Sequence, residues 1–113
     1  GEITGILPDQ QPPPESGEFA PLLGVQTRTM TLINKLLQRS GAQALMCSAI
    51  RIPGGWELHF LPADEALYSE NIEISLSALN KGVESIIALA PEQYQWEYKR
   101  FRDRPTGESP AYD

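Results

Sequence analysis

The feature that most constrains the fold of this chain is an apolar stripe between residues 72 and 87. Its members recur at three- and four-residue spacing, the period of an α-helix with one buried face; they are Ile72, Leu76, Leu79, Val83, Ile86 and Ile87. Ser69 or Asn71 precedes the stripe and can cap the helix. The sequence therefore predicts an amphipathic helix here, weakened slightly by Gly82.

A second strong pattern comes before this helix. Residues 44–50 are apolar apart from Ser48, which is typical of a strand covered on both faces in an α/β sheet. A Pro-Gly-Gly turn signal follows, and then Trp56, Leu58 and Phe60 alternate with polar residues, as in a strand with one buried face. The two segments predict a β-hairpin or a pair of neighbouring antiparallel strands, with His59 on the outward side.

The N-terminal segment combines a short apolar run with a proline-rich loop. Residues 3–7 predict a buried strand that ends at Pro8. Three consecutive prolines in the loop over residues 8–17 exclude a helix or a central strand there. Residues 19–25 are apolar but are interrupted by proline and glycine, which favours an edge strand or a lid over an apolar site.

Two further helices are predicted on either side of these strands. The first has an apolar stripe over residues 30–37, with Thr27 or Thr29 as its cap. The other begins at Pro91, since proline is favoured at the first helical position. It places its aromatic residues on one face and ends by Pro105.

These elements predict an α/β fold with a short mixed sheet and about three helices. With 113 residues, the chain is a single domain or a part of one over residues 1–113. We expect residues 105–113 to form a loose tail. The first residue is not methionine and no basic leader follows it, so we expect a piece of a longer protein.

The charge distribution narrows the choice of partner. With 15 acidic and 9 basic residues the net charge is −6, which argues against bulk nucleic-acid binding. Four basic residues lie close together among aromatic ones: Lys99, Arg100, Arg102 and Arg104. This cluster suits a membrane interface or an anionic head group, stacking on a single-stranded nucleic acid, or a solvated basic face packed through its aromatic residues.

Few residues are candidates for chemistry. Cys47 is the only cysteine, so no intramolecular disulfide is possible. It lies in an apolar run and is expected to be buried. His59, the only histidine, is expected to be a surface or satisfied strand residue with no acid to orient it. We expect no metal site and no cofactor. Asp9 follows the first predicted strand, where ligands bind in α/β sheets, although aspartate also favours a simple turn there.

Several blocks of sequence occur in a fixed order. They are Gly5-Ile6-Leu7-Pro8-Asp9-Gln10, Phe19-Ala20-Pro21-Leu22-Leu23-Gly24, Arg39-Ser40-Gly41-Ala42, and Pro91-Glu92-Gln93-Tyr94 followed by Arg100-Phe101, Arg104-Pro105 and Gly107-Glu108. In this order they resemble the lipid A biosynthesis acyltransferases, the lauroyl and myristoyl transferases of Gram-negative bacteria. The last block is the most specific, and the resemblance extends over almost the whole chain.

The resemblance implies a fold and an activity. The fold would be the C-terminal part of a glycerol-phosphate-acyltransferase-like α/β sandwich. The parent protein would move a fatty acyl group from an acyl carrier protein thioester onto a lipid A precursor at the cytoplasmic face of the bacterial inner membrane. Its catalytic His-x-x-x-x-Asp/Glu motif and its membrane anchor would lie ahead of Gly1. His59 and Asp64 match that pattern formally, but Pro62 breaks the turn between them, so this chain alone is expected to be inactive.

The resemblance also implies which residues bind substrate. Asp9 and Gln10 match the block that holds phosphate and head groups in the wider superfamily. Four basic residues would face the anionic lipid, the membrane surface or the acidic carrier protein. They are Arg51, Lys99, Arg100 and Arg102.

A second interpretation is a non-catalytic α/β interaction module related to this family. A sheet split at the start of the chain would leave an open strand edge. Such an edge would favour a homodimer of the isolated chain.

Overall fold

The computed structural model describes residues 2–112, which form two separate antiparallel hairpins and two α-helices. The elements are β1 (Gly17–Leu22), β2 (Val25–Met30), α1 (Leu32–Ser40), β3 (Leu45–Ile52), β4 (Gly55–Pro62) and α2 (Ile72–Leu89), with 3₁₀ turns at Pro14–Ser16, Glu65–Tyr68 and Pro91–Gln93. The α/β class is confirmed. The described residues form two antiparallel strand pairs where one mixed sheet was predicted, and two α-helices where about three were predicted.

Helix α2 is the centre of the fold. The Asn71 side-chain oxygen accepts the Ile74 N–H at 3.2 Å and so caps the first turn. The buried face of the helix carries Leu76, Leu79 and Val83, which confirms the predicted stripe. Both hairpins and helix α1 pack against α2.

The β1–β2 hairpin packs tightly on α2. Ala20 joins the cluster around Leu76 and Leu79, while Leu22 packs with Val83 and Ile87. The two turn residues between the strands, at positions 23 and 24, both have positive φ (53° and 78°), as a tight hairpin turn with the right twist requires. The turn is also tied to α2, since the Glu84 carboxylate accepts the N–H of residue 23.

The β3–β4 hairpin lies on α2 through one residue in particular. A Cβ built at Gly82 would lie 3.0 Å from Met46 Sδ, so the missing side chain at this position is what lets β3 approach the helix. A second link joins the far end of β3 to the C-terminal segment, residues 90–112, which follows α2. The Gln93 side-chain amide accepts the Arg51 N–H at 2.8 Å and donates to the Arg51 carbonyl at 3.0 Å.

Two predictions for the N-terminal half are wrong. Residues 3–7 form no strand, and Ile3 is fully exposed, because the described residues provide no neighbouring strand to pair with them. Thr27 and Thr29 do not cap a helix but lie within β2, and α1 begins after Thr31. The predicted edge strand over residues 19–25 corresponds to β1 and the hairpin turn.

The third predicted helix, beginning at Pro91, is also wrong. After the 3₁₀ turn at Pro91–Gln93 the chain continues in successive turns, with bonds such as Trp96 N–H to the Tyr94 carbonyl and Tyr98 N–H to the Gln95 carbonyl. These turns carry the Arg100 side chain beneath β2, where it makes several hydrogen bonds. Tertiary bonds thus override the local helical preference.

The faces of the second hairpin are opposite to those predicted. Trp56, Leu58 and Phe60 point to solvent, while His59 is half-buried on the side facing α2. Strand β3 is covered on only one face, and Cys47 is exposed where it was expected to be buried. The physical reason is that no described element lies over this second face.

One prediction concerns the C-terminal end of the chain. The loose tail over residues 105–113 stays a prediction, and both Asp113 and Gly1 lie outside the described residues. Between residues 2 and 112, no helix has the length and apolar character needed to cross a bilayer.

Candidate functional site

The N-terminal loop meets the C-terminal segment through a set of polar bonds. The Gln11 N–H donates to the Tyr98 hydroxyl at 2.7 Å, and the Gln11 side-chain amide donates to Asp103 Oδ2 at 3.1 Å. The same carboxylate oxygen lies 3.0 Å from Arg28 Nε. These bonds hold Gln11, the residue after Gln10, against a segment almost ninety positions later in the chain.

Arg100 lies beneath this junction and is only 1% exposed. Its guanidinium donates to Thr27 Oγ1 at 3.0 Å, to the Arg28 carbonyl at 2.6 Å and to Thr29 Oγ1 at 3.3 Å. In return the Thr27 hydroxyl donates to the Arg100 carbonyl at 2.7 Å. The C-terminal segment is therefore fastened to β2 at a buried point, where each bond is shielded from water.

The network continues into helix α2. The Asn80 side-chain amide donates to Thr29 Oγ1 at 2.9 Å, and both residues are fully buried. Arg100 Nε, Asn80 Oδ1 and Gln11 Oε1 have no hydrogen-bond partner in the part of the chain that the structure describes. One polar network thus joins α2, β2, the N-terminal loop and the C-terminal segment.

The charges in this network influence each other. Burial lowers the pKa of the Arg100 guanidinium, while Tyr94 and Asp9 raise it by favouring the charged form. Burial raises the pKa of the Tyr94 phenol, and the negative charge of Asp9 raises it further, whereas Arg100 lowers it. Asp9 is therefore close enough to the buried cation for its charge to be felt there.

The structure distributes the predicted site residues over three places. Asp9 and Gln10 are half-buried at the junction, with Arg100 below them. Lys99 and Arg102 flank Arg100 in sequence and are exposed. The remaining predicted residue, Arg51, lies at the exposed end of β3, joined to the C-terminal segment through the backbone contact with Gln93.

His59 and Asp64 are engaged separately. His59 Nε2 lies 2.6 Å from Glu57 Oε1, so the histidine has an orienting acid two residues earlier, contrary to the sequence interpretation. Asp64 caps the following 3₁₀ turn by accepting the Ala66 N–H at 2.8 Å. Each side chain has a local partner of its own, which is the arrangement expected if the formal motif match is accidental.

The residues that build the junction could not be recognised from local sequence patterns. The sequence places Tyr98 and Asp103 in a predicted helix that does not form, and it favours Thr27 or Thr29 as a helix cap. A signal was present, since Thr27 and Thr29 alternate as residues on one face of a strand do. Nothing local indicated that an arginine more than seventy residues later would meet them.

The junction places the half-buried Asp9 and Gln10 next to Gln11, whose bonds tie the loop to the C-terminal segment above the buried Arg100. Within residues 2–112 there is no group of three histidine, cysteine or acidic side chains able to hold a metal ion. The contacts of the junction contain no nucleophile paired with a base.

Comparison with known proteins places the chain in a family. The bacterial lipid A biosynthesis acyltransferases match residues 1–103. The chain belongs to this family. The motif-based resemblance is therefore confirmed.

Individual acyltransferases of this family agree. The lipid A biosynthesis lauroyltransferase of Escherichia coli K12 is 35% identical over 115 residues, covering 99% of this chain and 38% of that protein. The palmitoleoyltransferase of the same strain is also 35% identical, over 99% of this chain and 37% of its own length. A lipid A biosynthesis acyltransferase of Haemophilus influenzae is 31% identical, over 100% and 35%. The chain spans a little over a third of these acyltransferases and matches their C-terminal part.

Proposed function

We propose that this chain is the acceptor-binding part of an acyltransferase that moves a fatty acyl group from acyl carrier protein onto a lipid A precursor. The catalytic His-x-x-x-x-Asp/Glu motif would be contributed by another part of the polypeptide, and the chain alone would be inactive. The protein would work at the cytoplasmic face of the inner membrane, where both substrates meet.

The observation that carries this proposal is the junction around Asp9. The loop bearing Asp9 and Gln10 is held by bonds from Gln11 to Tyr98 and Asp103, so the backbone next to these two residues is tied in place. A site that binds a sugar head group needs such preorganised donors and acceptors, because ordering them during binding would cost affinity. Family membership supports a lipid A precursor as the substrate class.

The exposed cations beside the junction supply the second half of the site. Lys99 and Arg102 are exposed, whereas Arg100 is buried and holds the segment to β2. We propose that Lys99 and Arg102 attract the anionic lipid, the acidic carrier protein or the negative membrane surface. Arg51 would contribute from the end of β3. In this arrangement Arg100 would act on the substrate only through its charge and its hold on the segment.

The test is acyl transfer by the longer polypeptide carrying Asp9→Asn. We expect the rate of transfer to fall by about 100-fold, as when one electrostatic group is removed from an active site. Glu18→Gln, a change of the same kind at an exposed position of β1, should leave the rate unchanged. An Asp9→Asn protein that is folded and fully active would overturn the assignment of this loop.

A non-catalytic interaction module related to the family is the second candidate. One observation favours it, namely the apolar face of the β3–β4 hairpin that no described element covers. The two candidates differ in what Asp9→Asn does in cells that depend on the protein. A loss of lipid A acylation would support the enzyme, and normal acylation combined with loss of a bound protein would support the module.

A further inference from the structure

The β3–β4 hairpin turns one face to α2 and the other to solvent. The strand register places four pairs on the solvent face: Leu45 with Pro62, Cys47 with Phe60, Ala49 with Leu58, and Arg51 with Trp56. The large residues Leu45, Trp56, Leu58 and Phe60 are between 60% and 64% exposed. Apart from Arg51 at one end, the face is apolar throughout; we call it the open face.

A contiguous apolar surface of this kind needs a partner. Soluble proteins seldom leave such patches in water unless they mark a contact site. A two-stranded hairpin is also marginally stable without cover. Apart from Ser48, residues 44–50 are apolar, which is typical of a strand covered on both faces, yet α2 covers only one.

The outer edge of β3 is open as well. Gln93 bonds the backbone N–H and carbonyl of Arg51, which therefore point away from β4. Backbone groups along a strand alternate with a period of two, so those of Ala49 and Cys47 point the same way. No hydrogen bond joins them to another element within residues 2–112. The face and the adjoining edge are thus vacant together.

The length of the relatives and the charge of the open face indicate what covers this face. The relatives match this chain from end to end but are more than twice as long, so a large region of those proteins has no counterpart here. A membrane surface would require a ring of cations, whereas the open face carries only Arg51 and the chain has a net charge of −6. An apolar polypeptide segment fits both observations.

We propose that the open face of the β3–β4 hairpin is the docking surface for the region that precedes the matched part in the longer relatives. That region would lay an apolar segment across Leu58 and Phe60 and would bury Cys47 between them. The hairpin would then become part of a sheet covered on both sides, as its sequence indicates. This proposal concerns assembly and holds whether or not Asp9 binds substrate.

Cys47 allows a direct test because it lies in the middle of the open face. The longer polypeptide is prepared with Cys47 as its only cysteine and is treated with a water-soluble maleimide, in buffer and in urea. We expect the native protein to react more slowly than the unfolded one by about tenfold or more, since a covered thiol reacts only during local opening. The matched control is Cys47→Ser with Ala111→Cys, which places the thiol at an exposed position near the C-terminus and should give no such protection.

Each other outcome overturns the proposal. Equal rates for native Cys47 and the Ala111→Cys control would mean that the face is open in the longer protein. Protection that increases with protein concentration would identify a second copy as the occupant, and protection only with anionic vesicles would identify the membrane. Leu58→Glu gives an independent measurement, because it should destabilise the longer polypeptide but not the 113-residue chain.

Discussion

The two hairpins differ in a way that their composition does not suggest. The β3–β4 hairpin is the more apolar, yet one of its faces is in water, whereas the two fully buried residues of β2 are threonines. Burial in β1–β2 is made possible by Arg100 and Asn80, which satisfy the threonine hydroxyls. The difference teaches that an apolar strand needs another element to bury it. The strand's own sequence does not show which element of the fold packs against it.

The largest test of this difference is a pair of identical truncations. Leu22→Ala removes a side chain that is 1% exposed and should lower the free energy of unfolding by about 2–5 kcal/mol. Leu58→Ala removes one that is 64% exposed and should change it by less than about 0.5 kcal/mol. Urea denaturation of the chain measures both. Equal effects would show that the open face is covered in solution.

Arg100→Met tests whether the polar network supports β1–β2. The variant keeps much of the side-chain volume but removes the donors to Thr27 and Thr29, so we expect a loss of about 1.5–3 kcal/mol of unfolding free energy. Arg102→Met, at an exposed neighbour, is the control and should cost less than about 0.5 kcal/mol. If both variants are equally stable, the hydrogen bonds of Arg100 contribute nothing to the stability of the β1–β2 hairpin.

Gly82→Val tests the other hairpin alone. The new side chain would collide with Met46 and push β3 away from α2, at a cost of about 1–3 kcal/mol. Ala88→Val, on the exposed side of the same helix, controls for placing a β-branched side chain in α2. Hydrogen exchange should show faster exchange in β3–β4 and unchanged protection in β1–β2. Uniform loosening of both hairpins would contradict their independence.

Gln93→Ala addresses the link between β3–β4 and the candidate site. It removes both bonds to the Arg51 backbone, and since these are exposed we expect only about 0.5–1.5 kcal/mol. The Arg51 amide should exchange faster while amides near Gly55 keep their protection. Unchanged exchange at Arg51 would mean that the hairpin end is held by other contacts.

The smallest effect concerns pH. Burial and the charge of Asp9 raise the pKa of Tyr94, so the unfolded chain loses this proton first as the pH rises above about 10. The stabilising contribution is therefore complete below that pH and is lost as the pH rises through the raised value. Tyr94→Phe should make the urea midpoint less sensitive between pH 9 and 11. An unchanged pH profile would show that Tyr94 is equally accessible in both states.

What the sequence could predict depended on distance along the chain. The sequence predicts helix α2, with Ser69 or Asn71 as its cap, and the β3–β4 hairpin, because their signals lie within a few residues of each other. The junction was not, because Arg100 meets β2 across more than seventy residues and this contact replaces a locally plausible helix. The choice of Asp9 rested on motif resemblance, and its binding role stays a prediction.

The bond between the Thr27 hydroxyl and the Arg100 carbonyl has a consequence for synthesis on the ribosome. The two residues are separated by 73 positions, so the ribosome must add 73 residues after Thr27 before Arg100 exists to bind β2. At a typical rate of 5–20 residues per second, the delay is about 4 to 15 s. Throughout this interval the nascent hairpin has polar groups with no cation to bind. The translation rate downstream of β2 is therefore a parameter of how this protein matures.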